Sequence, residues 1–273
     1  SNVFMDNISM KKTLIALAVA TFGVVSGSAT AWTEKGTGNP VELGGTLTRV
    51  IAESPWEVKT GDAVTDLNAY IKNGEKTAIV RVTRPIPVLG IRTRTLDVFQ
   101  AKSGITPQID YKNAVNVEKF SLGETTLEID VRDDTGKKIG RLVSPFSAAA
   151  MITIKNNDTG RVSWDSGYAG TRGKAFFGGV GKYVSGAVKA DGVEALIRGI
   201  SSEFLDRLNM HGVRSPHISE RFEYDFSYAK YTYSAAYGSG IRAGSDIIIT
   251  LDSPSGKNEI KWKAFVPVEV SYM

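Results

Sequence analysis

The chain closes on Ile260-Lys261-Trp262-Lys263-Ala264-Phe265-Val266-Pro267-Val268-Glu269-Val270-Ser271-Tyr272-Met273. Ile260, Trp262, Ala264, Val266, Val268, Val270 and Tyr272 share one face; Lys261, Lys263, Glu269 and Ser271 share the other. A period of two predicts a strand with one buried face. The pattern runs to the last residue, where chains usually fray, so something must hold it. The strand is expected at a sheet edge, its apolar face toward a groove. Pro267 removes one ladder donor and is expected at a bulge or facing away from one neighbour.

The start of the chain has a different character. Met10-Lys11-Lys12 is basic, Thr13 to Val25 is mostly apolar, and Ser26-Gly27-Ser28-Ala29-Thr30-Ala31 ends in Ala-x-Ala. That is the pattern of a secretory leader cut between Ala31 and Trp32. A membrane anchor would need a longer apolar run. Residues 1–9 precede the expected start. Without residues 1–31, 273 − 31 = 242 residues remain, with 33 − 2 = 31 basic and 29 − 1 = 28 acidic side chains. This is enough for one large β domain or two small ones.

Several function classes fall away. There is no cysteine, which excludes catalytic thiols and thiolate metal sites. The net charge of +3 comes with no basic run, so nucleic acid is not indicated as a partner. Gly178-Gly179-Val180-Gly181-Lys182 is not a phosphate loop, because Phe176 stands where the first glycine belongs and Tyr183 where Ser or Thr must follow the lysine. His211 and His217 match no common metal spacing and read as surface residues. No Gly-x-Ser-x-Gly elbow supports a Ser-His-Asp site. Asp130, Asp133 and Asp134 sit at a hairpin turn, where Asp serves local hydrogen bonds. No cofactor, metal or enzymatic activity is expected.

Between the ends, short strands are expected at 56–58, 76–84, 96–100, 107–111, 114–120, 126–132, 139–143, 147–155 and 246–252. Further alternation covers 222–228 and 231–237, and residues 62–70 read as a loop or helical turn. Pro85-Ile86-Pro87 is expected to make the segment after it an edge or a bend. From Val162 the composition shifts to glycine and aromatics. Leu196, Ile197, Ile200, Phe204, Leu205 and Leu208 then predict a helix over 193–208, with Asp191 placed to cap it, and 209–219 reads as a loop. Many short strands with turns between them argue a sandwich, with 162–219 as an insertion.

Near the start, Val41, Leu43, Gly45 and Leu47 alternate after a polar, Gly-rich preface. Two readings stand: an N-terminal strand of the domain's own sheet, or a detachable strand that pairs with another molecule.

The two ends together resemble a known family. The leader, Ala31-Trp32, Val41-x-Leu43-Gly44-Gly45-x-Leu47-Thr48, Tyr231 to Ala243, and Val266-Pro267-Val268-Glu269-Val270-Ser271-Tyr272 resemble the Fae-type fimbrial subunits, kappa-clade pilins of enterobacterial chaperone/usher fimbriae. The resemblance implies an all-β, incomplete immunoglobulin-like sandwich with an inserted Gly/aromatic-rich segment containing a helix. It implies residues 32–48 as a donor-strand extension and 49–273 as the pilin domain. Val41, Leu43, Gly45 and Leu47 would form the donor face, with Gly45 where the groove is tight. Trp262, Val266, Val268, Val270 and Tyr272 would build the acceptor groove. The implied partners are a periplasmic chaperone, an outer-membrane usher and neighbouring subunits, and the implied location is a cell-surface fimbrium. A subunit of this family can also bind host carbohydrate. Trp164, Tyr168, Arg172, Lys174, Phe176, Phe177 and Tyr183 are the candidates here, since sugars stack on aromatic faces. Against this, the aromatics could simply pack the insertion onto the sandwich. A minor structural or assembly subunit without receptor binding, and an unrelated secreted β-sandwich protein, remain as alternatives.

Overall fold

A computed structural model describes residues 54–273, together with the backbone of 15–17. The segment 18–53, with the proposed cut site and Val41 to Leu47, lies outside the described residues. The strands are β1 (Ile15–Leu17), β2 (Trp56–Thr60), β3 (Thr77–Arg81), β4 (Ile86–Thr93), β5 (Phe99–Gln100), β6 (Pro107–Asp110) and β7 (Glu124–Asp133). They continue with β8 (Lys138–Asn156), β9 (Val162–Gly167), β10 (His217–Phe222), β11 (Tyr231–Ile241), β12 (Asp246–Leu251), β13 (Trp262–Lys263) and β14 (Glu269–Tyr272). The helix α1 spans Val193–Ile200.

The organising element is β8, a 19-residue strand that the sequence pattern divides in two. Its first half pairs with β7 and β12. Its second half pairs with β11 and β9. Pro145 lies between these halves and still faces Thr126 of β7. One strand therefore serves both layers of an immunoglobulin-like sandwich. The inward faces merge in a single core, with Leu127, Leu142 and Ile247 from one half and Ile91, Ile152 and Tyr237 from the other.

The second half of β8 is buried on both faces, because α1 lies on its outer side. Val193, Leu196, Ile197 and Ile200 pack against Ala149, Met151 and Ala236. The ring of Phe204 presses on the same surface. A Cβ at Gly90 would come within 2.3 Å of that ring and one at Gly238 within 2.9 Å, so both positions need glycine. The helix is shorter than its periodicity suggests. It ends at Ile200, and Ser202–Leu205 continues as a 3-10 turn that keeps Phe204 and Leu205 buried. Gly192 rather than Asp191 stands at the cap, and no side chain caps it.

Other expectations need correction. Strand β4 is no edge: it pairs with β11 on one side and β2 on the other. Pro87 is tolerated because the register shifts beside it, between Ser239 and Gly240, so the missing donor falls at an irregularity. Residues 114–120 form no strand; Val115 makes one isolated bridge to Leu127, and Val117–Lys119 is a 3-10 turn. Strand β10 ends at Phe222, so the alternation through Tyr228 marks packing rather than a ladder. His211 is half-buried, with Nε2 3.1 Å from the Thr153 hydroxyl, and burial pulls its pKa down. The Asp133 carboxylate takes hydrogen bonds from Thr135 and from the Lys137 amide, as its turn position implies.

The insertion is tied into the sheet at both ends. Strand β9 pairs with β8, and β10 adds parallel to β9 as the sheet's last strand. Buried Asp165 accepts a hydrogen bond from the Glu220 amide at 3.0 Å, where the β9–β10 register shifts. The carboxylate thus serves a backbone group that the ladder leaves out.

Candidate functional site

The closing stretch is not one strand. Its alternation is continuous, yet its hydrogen-bond partners change midway. Strand β13 pairs with β7, Trp262 opposite Asp133. Strand β14 leaves that sheet and pairs antiparallel with β6, Val270 opposite Ile109 and Tyr272 opposite Pro107. Pro267 falls in the unladdered link between them. Of the five residues expected to act together, Val268, Val270 and Tyr272 are buried in the sandwich core. Val266 is partly buried against that core, and Trp262 belongs to the other sheet.

The end of the chain is held as its pattern requires. The Met273 amide donates to the Thr106 carbonyl at 3.0 Å, and the Thr106 amide donates to the Met273 carbonyl at 2.9 Å. In an antiparallel ladder, residues alternate between facing one neighbour and the other. Met273 faces β6, so Ser271 does too, and the backbone groups of Val270 and Tyr272 point to the opposite edge. Pro107 fits opposite Tyr272 for the same reason, since no donor is needed from it there.

On that opposite edge lies β1. Ile15 is opposite Ser271, Ala16 opposite Val270 and Leu17 opposite Glu269, antiparallel. Strand β14 is therefore the middle strand of a three-stranded sheet, not the edge strand that its sequence suggests. Among the described residues, its second neighbour comes only from the leader-like segment.

The insertion buttresses the other side of this sheet. Phe177 forms a parallel bridge with Gln108. The Ile109 amide donates to the Phe177 carbonyl at 2.8 Å, and the Phe176 amide donates to the Pro107 carbonyl at 2.8 Å. The Gln108 side chain is buried and clamps the insertion: its amide donates to the Lys174 carbonyl at 2.9 Å, and its carbonyl accepts from Gly173 at 3.0 Å. Gly178, with φ of +87°, brings the insertion's backbone against β6, and a Cβ there would lie 1.8 Å from the Ile109 carbonyl. Gly178→Ala is expected to combine a strained φ with this clash. It should lower the melting temperature and speed amide exchange at Ile109, measured by calorimetry and NMR.

A buried hydroxyl chain fastens the end of β6. Tyr237 donates to the Gly179 carbonyl at 2.8 Å, so it accepts from Tyr111 at 2.7 Å, and Ser239 donates to Tyr111 at 2.7 Å. Burial pushes the phenols of Tyr111 and Tyr237 above their ordinary range. Outside the core, the Lys112 amine is held above its ordinary pKa, first by the hydrogen bond it donates to Glu269 of β14. Nothing in the sequence pattern flags Gln108, Thr106 or Tyr111, because their roles depend on partners far along the chain.

The Tyr272 hydroxyl is buried and has no hydrogen-bond partner among the described residues. Burial raises its pKa. An unpartnered buried hydroxyl costs about 1–3 kcal/mol. Tyr272→Phe is therefore expected to stabilise the free subunit by about 1 kcal/mol in urea denaturation.

The candidate carbohydrate residues do not form one open surface. Phe176 is core: it is fully buried, stacked on Tyr237 at 5.5 Å and edge-on to Trp56 at 5.9 Å. Its φ of +64° is unusual for a large side chain and is held by this packing. Trp164 is half-buried and donates to the Ala190 carbonyl. Tyr168 and Phe177 are half-buried, and Lys174 pairs with Asp225 at 3.4 Å. Arg172 is exposed, and Tyr183 is 62% exposed. Val184 and Leu122 are exposed as well, and the Leu122 amide donates to the Ser185 carbonyl at 3.1 Å, which brings Leu122 alongside them.

Residues 10–273 match a family model described as fimbrial, major and minor subunit, of the K88 type. The chain is 28% identical to K88 fimbrial protein AB of Escherichia coli, over 96% of this chain and all of that protein. It is 29% identical to the F41 fimbrial protein and 26% to K88 fimbrial protein AC, both of Escherichia coli and with the same coverage.

Proposed function

Because the chain belongs to the K88-type family of fimbrial major and minor subunits, we propose that it polymerises by accepting, along β14, the amino-terminal strand of a neighbouring subunit. Its role as a fimbrial subunit follows from the family, whose members are structural proteins rather than enzymes. The assembly route is the proposed part. The leader is cut between Ala31 and Trp32, a periplasmic chaperone first covers the edge of β14, and at an outer-membrane usher residues 32–48 of another subunit replace it. Residues 49–273 are the pilin domain, and 162–219 its insertion. The fimbrium then stands on the cell surface.

One observation carries this proposal. Strand β14 buries Val270 and Tyr272 in the core while turning their backbone groups toward an edge that, among the described residues, only 15–17 cover. Unpaired strand edges are templates for another strand. Strand addition supplies main-chain hydrogen bonds for affinity and alternate side-chain sites for specificity. Burying Val41, Leu43 and Leu47 contributes roughly 5–9 kcal/mol at about 1.5–3 each, before ordering costs. Repeated head to tail, such a contact does not close and makes a filament.

A peptide of residues 38–50 tests this. At a hundred times its dissociation constant it adds about 2.7 kcal/mol. The melting temperature of a chain lacking residues 1–31 should then rise by roughly 5–10 °C. A peptide with Leu43→Asp and Leu47→Asp should leave it unchanged. If both peptides act alike, strand acceptance is wrong.

Adhesion to host glycoconjugates is a second role, favoured by the exposed Tyr183 beside Val184 and Leu122. Tyr183→Ala is expected to reduce glycan-array binding at least tenfold with polymer yield unchanged. Equal binding by both proteins would remove this surface as the receptor site.

A further inference from the structure

The inserted segment ends in a strand with an edge of its own. Strand β10 pairs with β9 and, among the described residues, with no other strand. Ile218 and Phe222 stand on it 44% and 54% exposed. A free edge that carries apolar side chains is a template for pairing with another chain. We propose that buried Asp165 guards this edge: it holds a bulge in β10 that keeps a second copy of the subunit from adding a strand there. Strand β10 lies in a different sheet from β14, so the guard is tested separately from the strand acceptance proposed above.

Three observations carry it. First, β10 has one residue too many. Ile218 lies opposite Trp164 and Arg221 opposite Ser166, so Ser219 and Glu220 together face Asp165 alone. Such a bulge is rare between parallel strands. It breaks the even spacing of outward donors and acceptors that an added strand would need. Second, Asp165 holds the bulge. Its carboxylate accepts from the Glu220 amide at 3.0 Å and from the Tyr224 hydroxyl. The ladder resumes directly afterwards, where the Phe222 carbonyl accepts from the Tyr168 amide at 3.1 Å. Third, the carboxylate is held at a cost to stability. Asp165 is 3% exposed, and among the described residues no cation pairs with it. Burying a charge without a paired cation is unfavourable, and an apolar pair of similar shape often packs as well or better. The benefit lies in keeping subunits apart at this edge rather than in the subunit's own packing.

The experiment uses the 273-residue chain. Asp165→Val with Tyr224→Phe replaces the carboxylate and its hydroxyl donor by apolar side chains of similar size. Deletion of Ser219 instead removes the extra residue and leaves the carboxylate in place. Self-association is measured by sedimentation equilibrium at micromolar protein, and folding by circular dichroism. The parent should be monomeric, and each variant should self-associate at least tenfold more tightly. Ile218→Lys with Phe222→Lys, added to either variant, should restore the monomer, because lysine on an edge strand opposes pairing. A purely structural role for Asp165 would lower the melting temperature and would not give association that these lysines reverse. A folded variant as monomeric as the parent, or association that survives both lysines, overturns the guard. Failure of both variants to fold would make the bulge a requirement of folding, and overturns it too.

Discussion

Replacing Leu43 and Leu47 together by aspartate is expected to give subunits that fold but do not polymerise. Each leucine is proposed to enter a neighbour's core, where an apolar side chain contributes about 1.5–3 kcal/mol. The substitution loses both contributions and asks two carboxylates to enter an apolar site without partners, which costs several kcal/mol more. The main-chain ladder alone cannot offset that. On the proposed route both leucines pack in a neighbour rather than in their own subunit, so the subunit itself should still fold. Size-exclusion chromatography of periplasmic extracts should show monomer only, and electron microscopy should show bare cells. Deleting residues 32–48 should do the same. Polymers that persist after the deletion would mean that another segment bridges the subunits.

The second large effect concerns the buttress. Phe176→Ala is expected to destabilise the subunit by about 3–5 kcal/mol, the usual cost of emptying a buried phenylalanine site. For a domain of this size that lowers the melting temperature by roughly 6–20 °C. The side chain fills the space between Trp56 and Tyr237. Its backbone amide is one of the bonds that hold the insertion on β6, and β6 is what holds β14. Loss of packing at 176 should therefore reach the accepting edge, seen as faster exchange at Ser271 and Met273. Tyr183→Ala, at an exposed position of the same insertion, should leave the melting temperature within about 1 °C of the parent, since such surface changes are usually small.

The contrast between these two aromatics shows what the sequence could and could not tell. Both sit in a Gly-rich aromatic stretch and both are plausible sugar platforms by residue type. Only the fold separates them: Gly178 and Gly179 let the chain press onto Ile109 and drive Phe176 inward, leaving Tyr183 outside. Composition records the aromatics but not which way the loop turns.

The closing stretch gives the same lesson in a different form. Its alternation correctly assigns Val268, Val270 and Tyr272 to the buried face. It misses the change of partner between β13 and β14, because a side-chain period of two reports which face is buried and says nothing of which strand lies alongside. Prolines are no reliable break here. Pro145 lies inside the longest strand and Pro87 inside a central one. The neighbours of each accommodate it, through the passage between layers or through a register shift, and neither is local information. The sandwich, the helix-bearing insertion and the parity of the last strand were legible because each repeats over many residues. The Gln108 clamp and the Tyr111–Tyr237–Ser239 chain were not, since each joins single residues far apart in sequence.

The measurement that most directly tests strand acceptance is residue-resolved amide exchange along β14, in the chain lacking residues 1–31, with and without the peptide of residues 38–50. Without peptide, Ser271 and Met273 should be protected by β6, while Val270 and Tyr272 exchange freely. With peptide, Val270 and Tyr272 should become protected and the other two should change little. Protection at Val270 and Tyr272 that is already present without peptide, or that the peptide leaves unchanged, would contradict strand acceptance at β14.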